Sequence, residues 1–91
     1  MTSKEPQLRK KLLYRAIHRG CKETDIIIGK FAESEIEHLN SAQLQDLEKL
    51  LEIDDGTIYN WATEKVEIDA EFDTSLWKNI KTFWQQKHGQ E

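Results

Sequence analysis

At about 100° per residue, Leu8, Leu12, Leu13, Ala16 and Ile17 fall on one half of a helical wheel, while Lys10, Lys11, Tyr14, Arg15 and His18 occupy the other. The same three-and-four spacing returns in Ile27, Ile28, Phe31, Ala32 and Ile36, in Leu44, Leu47, Leu50 and Leu51, in Ile58, Trp61 and Ala62, and in Leu76, Trp77, Ile80, Phe83 and Trp84. No stretch alternates with the period of a strand. The chain therefore reads as all-α, a compact bundle of about five short helices. The absence of alternating strands and helices also excludes a dinucleotide-binding βαβ unit. Arg9 interrupts the apolar half of the first helix, where its long stem allows the head to snorkel outward.

The punctuation between these stripes is local. Gly20 follows the first helix, where a left-handed backbone carries no Cβ penalty. Glu23 and Asp25 then fall in the first turn of helix two, near its positive dipole end. Gly29 lies inside that helix and weakens it by about 1 kcal/mol relative to alanine, which close approach of another helix explains most simply. Asn40 is a good N-cap for helix three, with Gln43 placed to return the bond, and Asp54 or Asp55 caps helix four. Glu64 to Phe72 is acidic and without a helical face, so it is expected to cross the surface as a connection. The domain is expected over residues 8–88, preceded by a polar arm over 1–7, which holds the only proline, and followed by a tail over 89–91.

With 91 residues, the chain has room for one small core and not for two, which favours a binding or accessory module over an enzyme with a deep cleft. A mean hydropathy of -0.75 leaves little apolar material beyond that core. No apolar run is long enough for a membrane span or a signal-peptide core. A single cysteine makes no intrachain disulfide and fits a reducing compartment. The net charge of -4 conceals an asymmetry: residues 1–22 carry seven Lys or Arg against Glu5, and residues 31–73 carry thirteen acids against Lys49 and Lys65. The basic end suits an acidic protein surface or a phosphate backbone, and the remainder repels both.

Chemistry-bearing residues are sparse. Cys21 sits between Arg19 and Lys22 but has no evident histidine partner, so a contact role outranks a nucleophilic one. His18, His38 and His88 with one cysteine repeat no zinc-ligand spacing. Asp54-Asp55-Gly56 fails as a calcium loop, because Leu51 would stand where the first acidic ligand belongs. No catalytic, metal-binding or cofactor-binding residue is assigned. Arg9, Lys10, Lys11, Arg15 and Arg19 keep open a small helical nucleic-acid-binding or regulatory protein as the alternative, against which the acidic remainder weighs.

Arg9, Leu12-Leu13-Tyr14-Arg15, Arg19-Gly20-Cys21-Lys22-Glu23, Asp25 and Ile27-Ile28-Gly29-Lys30-Phe31, followed by Leu50-Leu51-Glu52, Asp54 and Tyr59-Asn60-Trp61, carry a family likeness. In these residues the chain resembles the small flavinylation and assembly factors of succinate dehydrogenase. The family is recognised by an arginine-glycine pair with a glutamate after two intervening residues. The resemblance implies a non-catalytic five-helix protein that binds the flavoprotein subunit of succinate dehydrogenase, and in some bacteria that of fumarate reductase. There it promotes covalent attachment of FAD to a histidine of that subunit, the FAD being held by the partner. Arg19, Gly20 and Glu23 match the functional motif; with Arg15 and Cys21 they are the expected partner-binding residues, Cys21 replacing a common methionine. In this reading Arg19 and Glu23 form a charged edge in which the arginine fork and the carboxylate grip the partner. The free protein is expected to be a monomer of the bacterial cytoplasm, with the mitochondrial matrix as the alternative if a presequence has been removed.

Overall fold

The computed structural model describes residues 5–88; the expected tail over 89–91 and residues 1–4 of the expected arm lie outside them. Helix α1, Glu5–Ile17, begins three residues earlier than the expected domain, so Glu5, Pro6 and Gln7 are helical rather than part of an arm. Proline is tolerated in a first helical turn because its missing N–H has no intrahelical partner there. Glu5 is also anchored, accepting from Ser41 Oγ at 2.8 Å and from Arg9 at 3.3 Å.

The second helical segment is continuous over 22–38 but changes pitch along its length. It starts as α2, Lys22–Thr24, widens into a π-helical stretch, Asp25–Gly29, resumes as α3, Lys30–Glu35, and tightens into a 3-10 turn, Ile36–His38. Helices α4, Ser41–Leu50, α5, Asp55–Ala62, and α6, Ser75–His88, complete the bundle. Five main helical segments, a separate 3-10 turn and no strand are present among the described residues, in line with the periodicity.

Gly29 stands at the end of the π-helical stretch and explains its own presence. A Cβ there would lie 3.4 Å from the Ala16 carbonyl oxygen of α1 and 2.7 Å from Asp25 Oδ1. The second segment therefore passes close to the α1 backbone at Ala16, and a side chain at position 29 would require the Asp25 carboxylate to shift.

The caps follow local rules. Asn40 Oδ1 accepts from the Gln43 N–H at 2.8 Å, and Gln43 Oε1 accepts from the Asn40 N–H at 3.1 Å. Asp54, rather than Asp55, caps α5, taking the Thr57 N–H at 3.0 Å and its hydroxyl at 2.8 Å. After α5 the chain turns through Glu64, whose φ is 62° and whose carboxylate pairs with Lys81. It then crosses the surface with one 3-10 turn, Ala70–Phe72.

One core unites all five segments. Leu12 and Ala16 of α1, Ile27, Ile28, Phe31 and Ile36 of the second segment, Leu44, Leu47 and Leu50 of α4, Ile58 of α5, and Leu76 and Ile80 of α6 are all buried. Trp61 and Trp77 are buried as well and meet edge to face at 6.1 Å, while Trp84 is only partly buried against the core. No helix among the described residues is long and apolar enough to cross a membrane.

Arg9 departs from the snorkelling expectation. Its side chain is 15% exposed, and its guanidinium donates to the Ile36 carbonyl and, at 2.9 Å, to the Leu39 carbonyl. It stands on the apolar half of α1 because it satisfies the C-terminal carbonyls of the second segment, where a cation is favoured.

Candidate functional site

The motif Arg19 to Glu23 occupies the junction between α1 and the second segment. The last turn of α1 closes with the His18 N–H on the Tyr14 carbonyl at 3.0 Å, and the two side-chain rings stack with centroids 4.0 Å apart. Gly20 then takes φ +88°, the left-handed conformation expected of it. Cys21 returns to extended backbone as the N-cap of α2, and the Asp25 N–H donates to its carbonyl at 2.9 Å.

Gly20 and Glu23 are exposed and Cys21 is half-buried. The Cys21 thiol donates to Glu23 Oε1 at 3.3 Å, so these two side chains form one edge beside the glycine. The Glu23 carboxyl is held below its ordinary range, first by its own backbone N–H and then by the Cys21 thiol. The Glu23 carboxylate is therefore ionised at neutral pH, with the exposed Lys22 beside it.

Arg19 points the other way. Its Nε donates to Asp55 Oδ1 at 2.6 Å, one terminal nitrogen donates to the Leu51 carbonyl at 2.9 Å, and the other donates to the Ile53 carbonyl. With 11% of its side chain exposed, the guanidinium closes the C-terminal end of α4 from within. The fork expected to grip a partner alongside Glu23 is engaged inside the chain. Arg15 is engaged too, in a surface ion pair with Glu52 at 2.7 Å. With Arg9 on the Ile36 and Leu39 carbonyls, three of the five cations that a nucleic-acid backbone would need have acceptors within the protein.

Two residues not singled out for the site complete it. Thr24 is fully buried, and its hydroxyl donates to Asp55 Oδ1 at 2.8 Å, the same oxygen that receives Arg19. The available signal was the pair Asp54-Asp55: one aspartate suffices for the cap, which leaves the other free to bind elsewhere. For Asp55, burial pushes the carboxyl upward, yet the bonds from Arg19 and Thr24 and the Arg19 charge outweigh it and hold the group below its ordinary range.

This sets a pH dependence. A carboxyl whose folded pKa lies below its unfolded one carries fewer protons when folded, so its stabilisation is complete above about pH 4 and is lost as the pH falls through the folded value. Thermal melts followed by circular dichroism are expected to be level from about pH 7 to about pH 5 and to drop below about pH 4. Asp55→Asn, less stable at neutral pH, is expected to show a shallower acid slope. The Asp54 cap, also lowered, by the Thr57 hydroxyl and N–H, supplies part of what remains. Equal acid slopes in the two proteins would remove Asp55 from this account.

Taken together, these features define a class: a single-core, five-segment helical module whose charged edge sits at its first helix junction, braced from behind. The chain belongs to the family described as the flavinator of succinate dehydrogenase, whose model matches residues 10–84. The resemblance read from the junction motif thus extends over nearly the whole domain. Among similar proteins, the mitochondrial succinate dehydrogenase assembly factor 2 of Dictyostelium discoideum is 41% identical over 75 residues, covering 82% of this chain and 53% of the relative. The FAD assembly factor SdhE of Acetobacter pasteurianus is 33% identical over 72 residues, covering 79% of this chain and 66% of the relative. The mitochondrial succinate dehydrogenase assembly factor 2 of Kluyveromyces lactis is 37% identical over 71 residues, covering 78% and 42%. The chain thus spans between about two fifths and just under two thirds of the length of these relatives. No solved structure matches at a comparable level.

Proposed function

We propose that this protein binds the flavoprotein subunit of succinate dehydrogenase and promotes covalent attachment of that subunit's own FAD, with the fumarate reductase flavoprotein as a further client. The observation that carries the reading is the match of residues 10–84 to the flavinator family, with Gly20 and Glu23 of the motif exposed on one edge. The relatives' names, succinate dehydrogenase assembly factor and FAD assembly factor, support it.

The chemistry is proposed to belong to the partner, which holds both the flavin and the histidine that accepts it. This chain's part is binding free energy. By preferring the partner conformation in which histidine and flavin are aligned, it raises the population of that conformation in proportion to its differential affinity. Glu23 offers an ionised acceptor for backbone or side-chain N–H groups of the partner, and Gly20 lets a partner surface approach the backbone closely. The proposal carries the client's compartment with it, a bacterial cytoplasm or a mitochondrial matrix.

The test combines the purified chain with flavoprotein carrying non-covalent FAD, and follows complex formation alongside acid-resistant flavin. Attached flavin is expected to rise with complex formed. Glu23→Ala, which removes an exposed carboxylate and no core contact, is expected to weaken binding at least about tenfold and to slow attachment with little change in melting temperature. Attachment that proceeds at its full enhanced rate without detectable binding would overturn this mechanism. Salt-sensitive binding to nucleic acid, with no flavoprotein complex, would favour the basic-helix alternative.

A further inference from the structure

We propose that Asp55, on α5 and outside the junction motif, is a positioning residue for the partner-binding edge; the proposal rests on the partner-binding reading above. One oxygen of its carboxylate pins the chain on both flanks of Gly20. Before the glycine, Arg19 Nε binds Asp55 Oδ1 at 2.6 Å; after it, Thr24 Oγ1 binds the same atom at 2.8 Å and also lies 3.4 Å from the Cys21 carbonyl. Between these anchors lie the exposed residues of the edge.

Arg19 is also held by the Leu51 and Ile53 carbonyls and Thr24 by its burial, but among the described hydrogen bonds it is Asp55 that ties the two flanks to one atom. Gly20 is conformationally permissive, and nothing lies within 4 Å of where its Cβ would be, so no packed wall holds its left-handed geometry. The surroundings of Asp55 make it a rigid anchor. Thr24 is fully buried, Arg19 is further held by the Leu51 and Ile53 carbonyls, and α5 is capped independently by Asp54. Loss of the Asp55 charge therefore loosens the junction without removing the cap of the helix on which it sits.

A loosened junction is competent to bind only part of the time, and the apparent affinity falls by the competent fraction. That predicts a kinetic signature. Association slows because fewer molecules present the right edge, whereas dissociation, which starts from the restored bound geometry, is nearly unchanged. A residue that touches the partner directly acts mainly on dissociation.

The experiment measures association and dissociation rates of the intact chain on immobilised flavoprotein with non-covalent FAD, with thermal melts and near-ultraviolet circular dichroism to verify folding. Asp55→Asn is expected to slow association about tenfold and to leave dissociation within about twofold. Asp54→Ala, which removes only the cap, is expected to lower the melting temperature and change neither rate. Thr24→Val, which keeps shape and deletes the hydroxyl anchor while leaving the Arg19 one, is expected to slow association by a smaller factor, and it decides the matter if Asp55→Asn does not fold. Wild-type association by a folded Asp55→Asn, or by Thr24→Val in its place, would overturn the proposal. Wild-type binding by Glu23→Ala would overturn the partner-binding reading itself.

Discussion

Arg19→Ala is expected to lower the melting temperature by roughly 10–20 °C. The substitution removes donors to Asp55 Oδ1 and to the Leu51 and Ile53 carbonyls at once. It leaves a partly buried carboxylate whose remaining partner is Thr24 and exposes the end of α4 to imperfect solvation. Breaking a fully buried pair costs about 3–5 kcal/mol; with a third of the Asp55 side chain exposed, about 2–3 kcal/mol is the reasonable figure. A domain of this size is stable by roughly 5–14 kcal/mol, so the variant remains folded at room temperature. Arg19→Lys keeps the charge but not the planar fork and is expected to fall between the two. Arg15→Ala, which breaks a surface pair, is expected to cost no more than about 1 kcal/mol. A shift of less than about 3 °C for Arg19→Ala in thermal melts would show that the three bonds are not maintained in solution.

Gly20→Arg is expected to weaken flavoprotein binding by about 100-fold or more, while Gly20→Ala weakens it only a few-fold. Both variants must hold φ near +88°, a strain of about 1–2 kcal/mol for a residue with a Cβ. The Cβ of either meets nothing within 4 Å. Their stabilities should therefore match, and the difference in binding isolates the bulk and charge set on the edge beside Cys21 and Glu23. Equilibrium titration with the flavoprotein, scored together with acid-resistant flavin, measures this directly. Equal losses for the two variants would assign the effect to backbone strain, and no loss in either would take the junction out of the partner face.

Much of the fold was legible because the rules that write it act within four residues. The apolar stripes, the Asn40 and Gln43 capping box and the left-handed Gly20 each depend on near neighbours in sequence. The motif that carries the family was likewise readable, since Arg19, Gly20 and Glu23 are close along the chain. The helical start at Glu5 was missed because Pro6 reads as a breaker unless its place in the first turn is known. The choice of Asp54 over Asp55 as the cap was open because either aspartate satisfies the local pattern.

An all-α bundle with its junction at Gly20 thus follows from the order of residues alone, because helical periodicity and backbone permissiveness are properties of the local chain. What the arginines do is set by long-range packing. Arg9 reaches carbonyls 27 and 30 residues away, and Arg19 reaches acceptors 32 to 36 residues away. A guanidinium fork serves a partner or its own chain equally well by chemistry, and which it serves depends on the acceptors that packing brings within 3 Å. Here packing brings Asp55, Leu51 and Ile53 to Arg19. That leaves Gly20 and Glu23 to face outward, and makes the arginine of the motif the brace behind the edge.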